Sequence, residues 1–553
     1  MNLLQKKKYE NYIFNIYDNI WKLDGGRNIP QWKSLEHNGP MFPSKYKKHN
    51  IPILINGVEY NLPELAEEYA TLYSKHLGSI YIENDKFNEN FWNDFKITLP
   101  NNILNKITSI HDIDFSLIYN YIIDEKEKKK KSADEIKKIK KNNDEMEELY
   151  KYCKVDGYLQ TVGNFKIEPP GIFIGRGVHP KIGMIKKRIN PEDVIINISK
   201  NVTIPVPNIG GKWKKIVHDN KSIWLASWKD KINNKTKYIF TSFESIFKTK
   251  SDKEKFELAR NLKKNVNYIR KQYINDAVSN NIKTAQHATA LYLIDNLALR
   301  IGGNKDTAKK ADTVGVTSLR VEHIKLSNDY IIELDFLSKD SIRYCKKINI
   351  DEIIYNNIKN FMINKKNKDK LFDNITNISL NKYLNDFMKG ITSKVWRTFN
   401  ASNSFQTYLN NISNHSIDKM KESEKINYLI MIVNQANTQV ALLCNHQKAI
   451  SSTLEIQLEK INKKIKKLYE KLKKGKSTDK DKIKNEIKIL KLKKETKNKM
   501  KNVSLGTSKD NYIDPRIIFS FMKKYNIPYE KLFNKKELER FKWAMYVDDK
   551  YIF

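Results

Sequence analysis

The sequence predicts an α+β multidomain protein, on three observations. Up to about Thr249, short β-like runs (IPILINGVEYNL, SIWLASW, TKYIF) mix with turns and a few helices. After Ser251 the texture turns helical, and from Leu454 a heptad seam sets in. At 553 residues, 40% of them hydrophobic, the chain has room for roughly three or four domains and a sizeable core.

Each element has its own signal. Asp124 to Asn143 (DEKEKKKKSADEIKKIKKNN) is charge-dense and made of helix formers, which reads as long solvated helices projecting from the body. The segments EKFELARNLKKNVNYIRKQY, IKTAQHATALYLIDNLALR and EKINYLIMIVNQANTQVALLCNH follow as helices. One hairpin interrupts them: YIIELDFL, a polar SKDS turn, then IRYCKKI. Leu454, Leu458, Ile461, Ile465, Leu468 and Leu472 step by 4, 3, 4, 3 and 4, a heptad seam. A turn at Gly475-Lys476-Ser477-Thr478 follows, and Ile483, Ile487 and Leu490 repeat the spacing. This is an antiparallel two-helix coil, with 18 lysines against 7 acids between Ser451 and Met500. The remaining residues read as a small helical module, in which N-x-x-E at Asn534 and Glu537 resembles a capping signal.

Charge narrows the class of partner. A net charge of +37 makes nucleic acid the first candidate and an anionic membrane the second. Lys, Asn and Ile are abundant together, as in an AT-rich coding sequence, so part of the lysine excess belongs to solvated faces. The three cysteines, Cys153, Cys345 and Cys444, are scattered, which excludes a disulfide framework or a Cys-rich zinc site and fits a reducing compartment. No signal-peptide core opens the chain, and no run of about 18 apolar residues crosses a membrane; a soluble intracellular protein is expected. The absence of G-x-x-x-x-G-K-[ST] and H-E-x-x-H leaves P-loop hydrolysis and a metal site of that spacing without support.

The stretch SLGTSKDNYIDPR, Ser504 to Arg516, ends a lysine-rich run and carries one tyrosine, Tyr512. Asp514-Pro515 just after it is a helix start, since Asp caps free N–H groups and Pro fits the first turn. Tyr512 therefore sits outside a helix N-terminus, where backbone dipoles favour an anion such as phosphate. Tyrosine can serve as a nucleophile. Against a phosphodiester it needs arginines for the non-bridging oxygens and a proton donor for the leaving oxygen. The candidates are Arg300, ending the helix LYLIDNLALR before Gly302-Gly303; Lys339, at the hairpin tip; Arg397, in SKVWRTFNAS; and His446, ending the helix VALLCNH. Taken singly, each has an ordinary reading as a helix-end or exposed polar residue. No carboxylate is placed as a base for the phenol.

Taken in order with their flanks, these residues resemble the active-site blocks of the eukaryotic-type type IB DNA topoisomerases. The blocks are LALRIGGNKDTAKKADTVGVTSLRVEHI, LDFLSKDSIRY, ITSKVWRTFNAS, LLCNHQKA and LGTSKDNYIDPRI. Upstream, WKSLEHNGP, NFKIEPPGIFIGRGVHPKIGMIKKRINPEDVIIN and HDNKSIWLASW resemble the same family's clamp lobe, so the likeness runs from about Gln31 to Phe553. It implies a bilobed DNA clamp: a short N-terminal segment (1–30), a mixed α/β cap lobe (31–245, charged helices about 113–152), a mainly helical catalytic core (246–450), a coiled-coil linker (451–501) and a C-terminal domain (502–553). It also implies relaxation of both supercoil signs in duplex DNA by a monomer, without metal, ATP or other cofactor, in replication and transcription. Tyr512 would form a 3′-phosphotyrosyl bond; Arg300, Arg397 and His446 would hold the non-bridging oxygens; Lys339 would protonate the leaving 5′ oxygen. DNA contacts would come from Arg176, Lys237, Tyr238, Lys255, Lys305, Thr313, Asn381, Lys394 and Asn511. Camptothecin-type poisons would depend on Arg176, Asp340 and Asn511.

Two departures stand out. The family usually has arginine where Ile174 precedes Gly175-Arg176, so this chain has one basic group fewer beside the cleavage site. Its cellular members usually carry a long charged arm with nuclear-import signals, where about 30 residues precede the clamp lobe here. Nuclear localisation is the implication, with a cytoplasmic viral factory or virion as the alternative for a large DNA virus. A tyrosine recombinase is the nearest chemical rival. Recombinases normally have His three residues before the second arginine, where this chain has Lys394, and no coil between the last His/Trp and the tyrosine. A non-catalytic DNA-binding protein would not need all five residues.

Overall fold

A computed structural model describes residues 30–128, 133–305, 310–411, 422–448, 453–474, 480–499 and 501–553. The expected segment 1–30, apart from its last residue, and the turn Gly475-Lys476-Ser477-Thr478 lie outside these. The described residues fall into two units, one within Met1–Lys248 and Asp306–Ala311, the other within Thr249–Lys305 and Asp312–Phe553.

In the first unit the β-like runs become strands β1 (Leu35–His37), β2 (Ile53–Ile55), β3 (Val58–Tyr60), β4 (Tyr152–Val155), β5 (Tyr158–Gly163), β6 (Gly171–Ile172), β7 (Ile185–Lys186), β8 (Ile195–Asn197), β9 (Lys215–Val217), β10 (Trp224–Lys229) and β11 (Thr236–Thr241). Seven form one sheet in the order β1-β4-β5-β11-β10-β8-β9, antiparallel except for β8 beside β9. The β4–β5 hairpin turns on Asp156-Gly157, both with positive φ, the two-residue loop that Asp-Gly favours. Trp32, Leu35, Phe42, Val194 and Ile196 are buried in the core that includes this sheet. A second core gathers α1 (Glu64–Ser74), α2 (Asp85–Phe95) and α3 (Ser116–Lys128). On α2, Phe87, Phe91 and Phe95 recur every four residues and are fully buried, worth roughly 2–3 kcal/mol each. Helix α4 (Ala133–Lys151) shares the charge-dense stretch with α3 and is exposed along almost its whole described length.

The second unit is built from α5 (Ile246–Ala277), α6 (Ile282–Leu297), α7 (Glu352–Met362), α8 (Asn377–Phe387), α9 (Ser393–Asn410) and α10 (Glu422–Leu443), around one apolar core. The expected hairpin is β13 (Ile331–Ser338) and β14 (Ile342–Asn349), joined through Lys339–Ser341; β12 (Ile324–Ser327) adds an unanticipated third antiparallel strand. The heptads fold as α11 (Leu454–Lys474) and α12 (Lys480–Lys499). Lys497 Nζ, near the end of α12, donates to Gln457 Oε1, near the start of α11, at 2.7 Å, as in an antiparallel pair, and Ile461 and Ile487 are buried. The chain ends in α13 (Leu505–Asn511), α14 (Pro515–Lys524) and α15 (Lys535–Arg540), the last opened by an Asn534/Glu537 capping box. Among the described residues no helix is long and apolar enough to cross a membrane.

Three local expectations are corrected. The helix before Arg300 stops at Leu297, because Ala298 turns left-handed at φ 49°; Arg300 lies in the irregular segment beyond. His446 likewise lies past the end of α10 at Leu443. Arg397 is 3% exposed, because α9 turns that face into the core.

Candidate active site

Tyr512 closes α13 as its C-cap, and its N–H donates to the Ser508 carbonyl at 2.9 Å. Its own carbonyl accepts from Ser402 Oγ at 3.0 Å, and that oxygen accepts the Asp514 N–H at 2.9 Å. Asp514 caps α14 through the Arg516 N–H and is gripped by the Arg516 guanidinium and the Tyr551 hydroxyl, which anchors the backbone beyond the tyrosine. The half-buried Tyr512 ring stacks on the His446 imidazole, with centroids 5.2 Å apart and planes 30° apart. The Arg397 guanidinium carbon lies 5.1 Å from the same ring's centre, a cation–π contact.

Arg397 reaches two chain segments at once. Its Nη1 donates to the Ala298 carbonyl and its Nη2 to the Cys444 carbonyl at 3.2 Å, while Nε is buried without a hydrogen-bond partner among the described residues. Those carbonyls lie just before Arg300 and His446, so one side chain ties the two segments to α9. Burial, and then Arg397, push the Arg300 guanidinium below its ordinary pKa, with the Tyr512 phenol acting in the opposite sense. The loop carrying Arg300 is held by Gly302 and Gly315, whose backbones touch: a Cβ on Gly315 would lie 2.5 Å from Gly302 N, and one on Gly302 2.8 Å from Gly315 Cα. His446 is pushed down to about 3 by burial, then by Arg397, Arg300 and Lys339, so the imidazole is neutral around pH 7. Lys339 is exposed at the hairpin tip, beside Asp340 at φ 68°. Arg300, Lys339, Arg397, His446 and Tyr512 thus lie in one electrostatic neighbourhood of the second unit.

Of the residues implied as DNA contacts, Lys255 and Asn511 come together beside Tyr512. Lys255 Nζ donates to the Asn511 carbonyl and to Asp252, each at 3.1 Å, and burial pushes its pKa down. That lysine is therefore a structural tie as well as a cation. Lys394 lies on α9 near Lys255, and Asn381 Oδ1 accepts the Ser393 N–H at the start of that helix. Lys305 bonds to Thr313. Arg176, Lys237 and Tyr238 belong to the first unit, where Arg176 is exposed in its loop and Lys237 pairs with Asp230 at 3.2 Å. Tyr238 is 46% exposed beside Trp224 and Phe240. Asp340 follows Lys339 in the hairpin turn, and among the described residues no cluster of His, Cys, Asp and Glu could hold a metal ion.

Sequence reasoning missed Ser508, whose Oγ is 2.7 Å from His446 Nδ1, and Asp295, beneath α9. Ser508 precedes Tyr512 by four residues and so shares its helix face, a signal present within SLGTSKDNYIDPR itself. Asp295 collects Arg270 Nε at 2.7 Å and Nη2 at 2.9 Å, Tyr273 OH at 2.9 Å and Trp396 Nε1 at 3.0 Å, holding the residue next to Arg397. A charged residue on an apolar helix, in ALYLIDNLALR, was its one trace.

A phenol stacked on a neutral imidazole and set under a guanidinium is equipped to attack a phosphodiester and to steady the charge that develops on it. That is the outfit of an enzyme that breaks and rejoins nucleic-acid strands through tyrosine. Residues 30–241 match the family described as "Eukaryotic DNA topoisomerase I, DNA binding fragment". Residues 244–479 match its catalytic core, and 484–553 the "C-terminal topoisomerase domain". The chain is 40% identical to DNA topoisomerase 1 of Homo sapiens, over 94% of this chain and 71% of that one. Against DNA topoisomerase 1 of Caenorhabditis elegans it is 38% identical, over 96% and 69%. Against the human protein named DNA topoisomerase I, mitochondrial, it is 38% identical, over 95% and 92%. The chain belongs to the eukaryotic DNA topoisomerase I family, isomerases that relax supercoiled DNA.

Proposed function

We propose that Tyr512 is the nucleophile of a type IB relaxation cycle on duplex DNA. Its phenol attacks a backbone phosphorus, leaving a 3′-phosphotyrosyl ester and a free 5′-hydroxyl. Arg300, Arg397 and His446 donate to the non-bridging oxygens, where charge grows in the transition state. Lys339, on its exposed tip, protonates the departing 5′ oxygen. The cut strand rotates, and attack by the 5′-hydroxyl on the phosphotyrosyl ester restores the backbone. Supercoil energy drives the rotation, and the ester conserves the energy of the bond it replaces, so the cycle asks for no nucleotide.

The observation that carries this reading is the Tyr512 ring stacked on His446, with Arg397 5.1 Å from its centre. The DNA contacts are assigned to Arg176, Lys237, Tyr238, Lys255, Lys305, Thr313, Asn381, Lys394 and Asn511, and camptothecin-type sensitivity to Arg176, Asp340 and Asn511, by likeness to the family. The enzyme acts as a monomer, and its place of action is the nucleus. Tyr512→Phe removes one oxygen, so DNA binding should persist while no covalent adduct forms. Protein still attached to a 3′ end after denaturant trapping of that variant would refute the assignment.

A further inference from the structure

A neutral imidazole has one nitrogen that donates and one that accepts, and which is which decides what His446 can offer. The ring is 4% exposed. Nε2 is buried without a hydrogen-bond partner among the described residues, and Nδ1 lies 2.7 Å from Ser508 Oγ. Ser508 is fully buried, and this is its side chain's one hydrogen bond among the described residues. A buried hydroxyl must place its proton on an acceptor, since leaving it unmade is costly. Were the ring proton on Nδ1, Ser508 would have to accept it, and its own O–H would be stranded. Donation from Ser508 to Nδ1 satisfies both groups and leaves the ring proton on Nε2.

We infer that Ser508 is a positioning residue for strand cleavage: its hydroxyl fixes His446 as the Nε2–H tautomer and so gives the ring a proton to offer a non-bridging phosphate oxygen. The inference rests on the phosphate role proposed for His446. It adds a coupling that the five residues alone do not contain. Ser508 stands one helical turn before Tyr512 on α13, and its carbonyl accepts the Tyr512 N–H at 2.9 Å. The short helix that delivers the nucleophile therefore also sets the donor, and the imidazole is correctly protonated for the reaction only with α13 seated against it.

The test uses the full chain, a suicide duplex substrate and single-turnover cleavage. Ser508→Ala should slow cleavage about tenfold, the effect of one buried hydrogen bond, with DNA affinity unchanged. His446→Ala should cost roughly 10²–10³, the loss of a whole transition-state donor. His446→Gln presents an amide N–H that needs no tautomer, so adding Ser508→Ala to it should change the rate by less than about twofold. ¹⁵N-histidine spectra, with the His446 signal assigned from its loss in His446→Gln, should show Nε2–H in the parent and loss of that single tautomer in Ser508→Ala. An Nδ1–H ring in the parent, or an equal loss from Ser508→Ala in the glutamine background, would overturn the inference. Parental cleavage by His446→Ala would overturn the role of His446 itself, a failure that the rate reports and the spectrum does not.

Discussion

Arg397→Lys keeps a cation in a position that is 3% exposed but removes the planar fork that reaches two carbonyls. A lysine ammonium sits on one flexible stem, so it can serve either the Ala298 or the Cys444 carbonyl, not both, while also facing the phosphate. A hydrogen bond from a charged donor is worth about 1.5–3 kcal/mol net, so losing one loosens the segment of Arg300 or that of His446 by that amount. Converted at about 1.4 kcal/mol per tenfold, the misplacement slows cleavage by roughly 10–150-fold, although the net charge is unchanged. The variant should bind a nicked duplex normally, lose about 2 kcal/mol in urea unfolding of the second unit, and show the defect in single-turnover cleavage. A lysine enzyme that cleaves within about threefold of the parent would mean that charge alone matters at this position, and the bridging argument would fall.

Asp295→Ala strips the acceptor from Arg270, Tyr273 and Trp396; breaking a buried ion pair from one side costs about 3–5 kcal/mol, the lower end applying because Arg270 is 43% exposed, and urea unfolding reads the loss. Asp510 is pushed up to about 6, first by burial and then by Glu537. Its folded state thus holds the proton more tightly than the unfolded chain, and that stability is lost as pH rises through 6. Asp510→Asn should accordingly stabilise the protein by roughly 1–2 kcal/mol at pH 8, with the gain fading below pH 6 in thermal melts. Replacing the coil, Leu454 to Lys499, with a short flexible linker should leave cleavage intact, because its ends are stitched beside the site: Ser504 N–H donates to the His446 carbonyl and Lys448 N–H to the Asn502 carbonyl, both at 2.9 Å. Every phosphate that the coil's lysines neutralise adds about 0.9 to the salt slope of DNA binding, so the slope should fall without them, and supercoils should relax faster per nick in single-molecule rotation; an unchanged slope and rotation rate would reduce the coil to a spacer.

Features coded by neighbours in sequence were legible. The heptad seam announced α11 and α12, alternation around a polar turn announced β13 and β14, and Asp514-Pro515 announced the start of α14. Long-range pairings decided the rest. Nothing near Ala298 marks it as left-handed, and the carbonyl it turns toward Arg397 is 99 residues away in sequence. The helix arginine that looked exposed is buried because two distant segments need its donors. Ser508 and His446 are 62 residues apart with the coil between them, so their bond is invisible to any local rule. Short strands such as β12 carry too few residues for a period to show.

The touching backbones of Gly302 and Gly315 bear on how this protein can vary over generations. The Arg300 carbonyl accepts the Val316 N–H at 2.9 Å across that junction, so a methyl at either position separates the two strands of chain and carries the arginine with them. Restoring space at one position cannot compensate a side chain at the other, because each is already the smallest residue there is. A saturation library selected for DNA relaxation should therefore return two positions fixed as glycine in every background. Drift in the lineage is blocked at both.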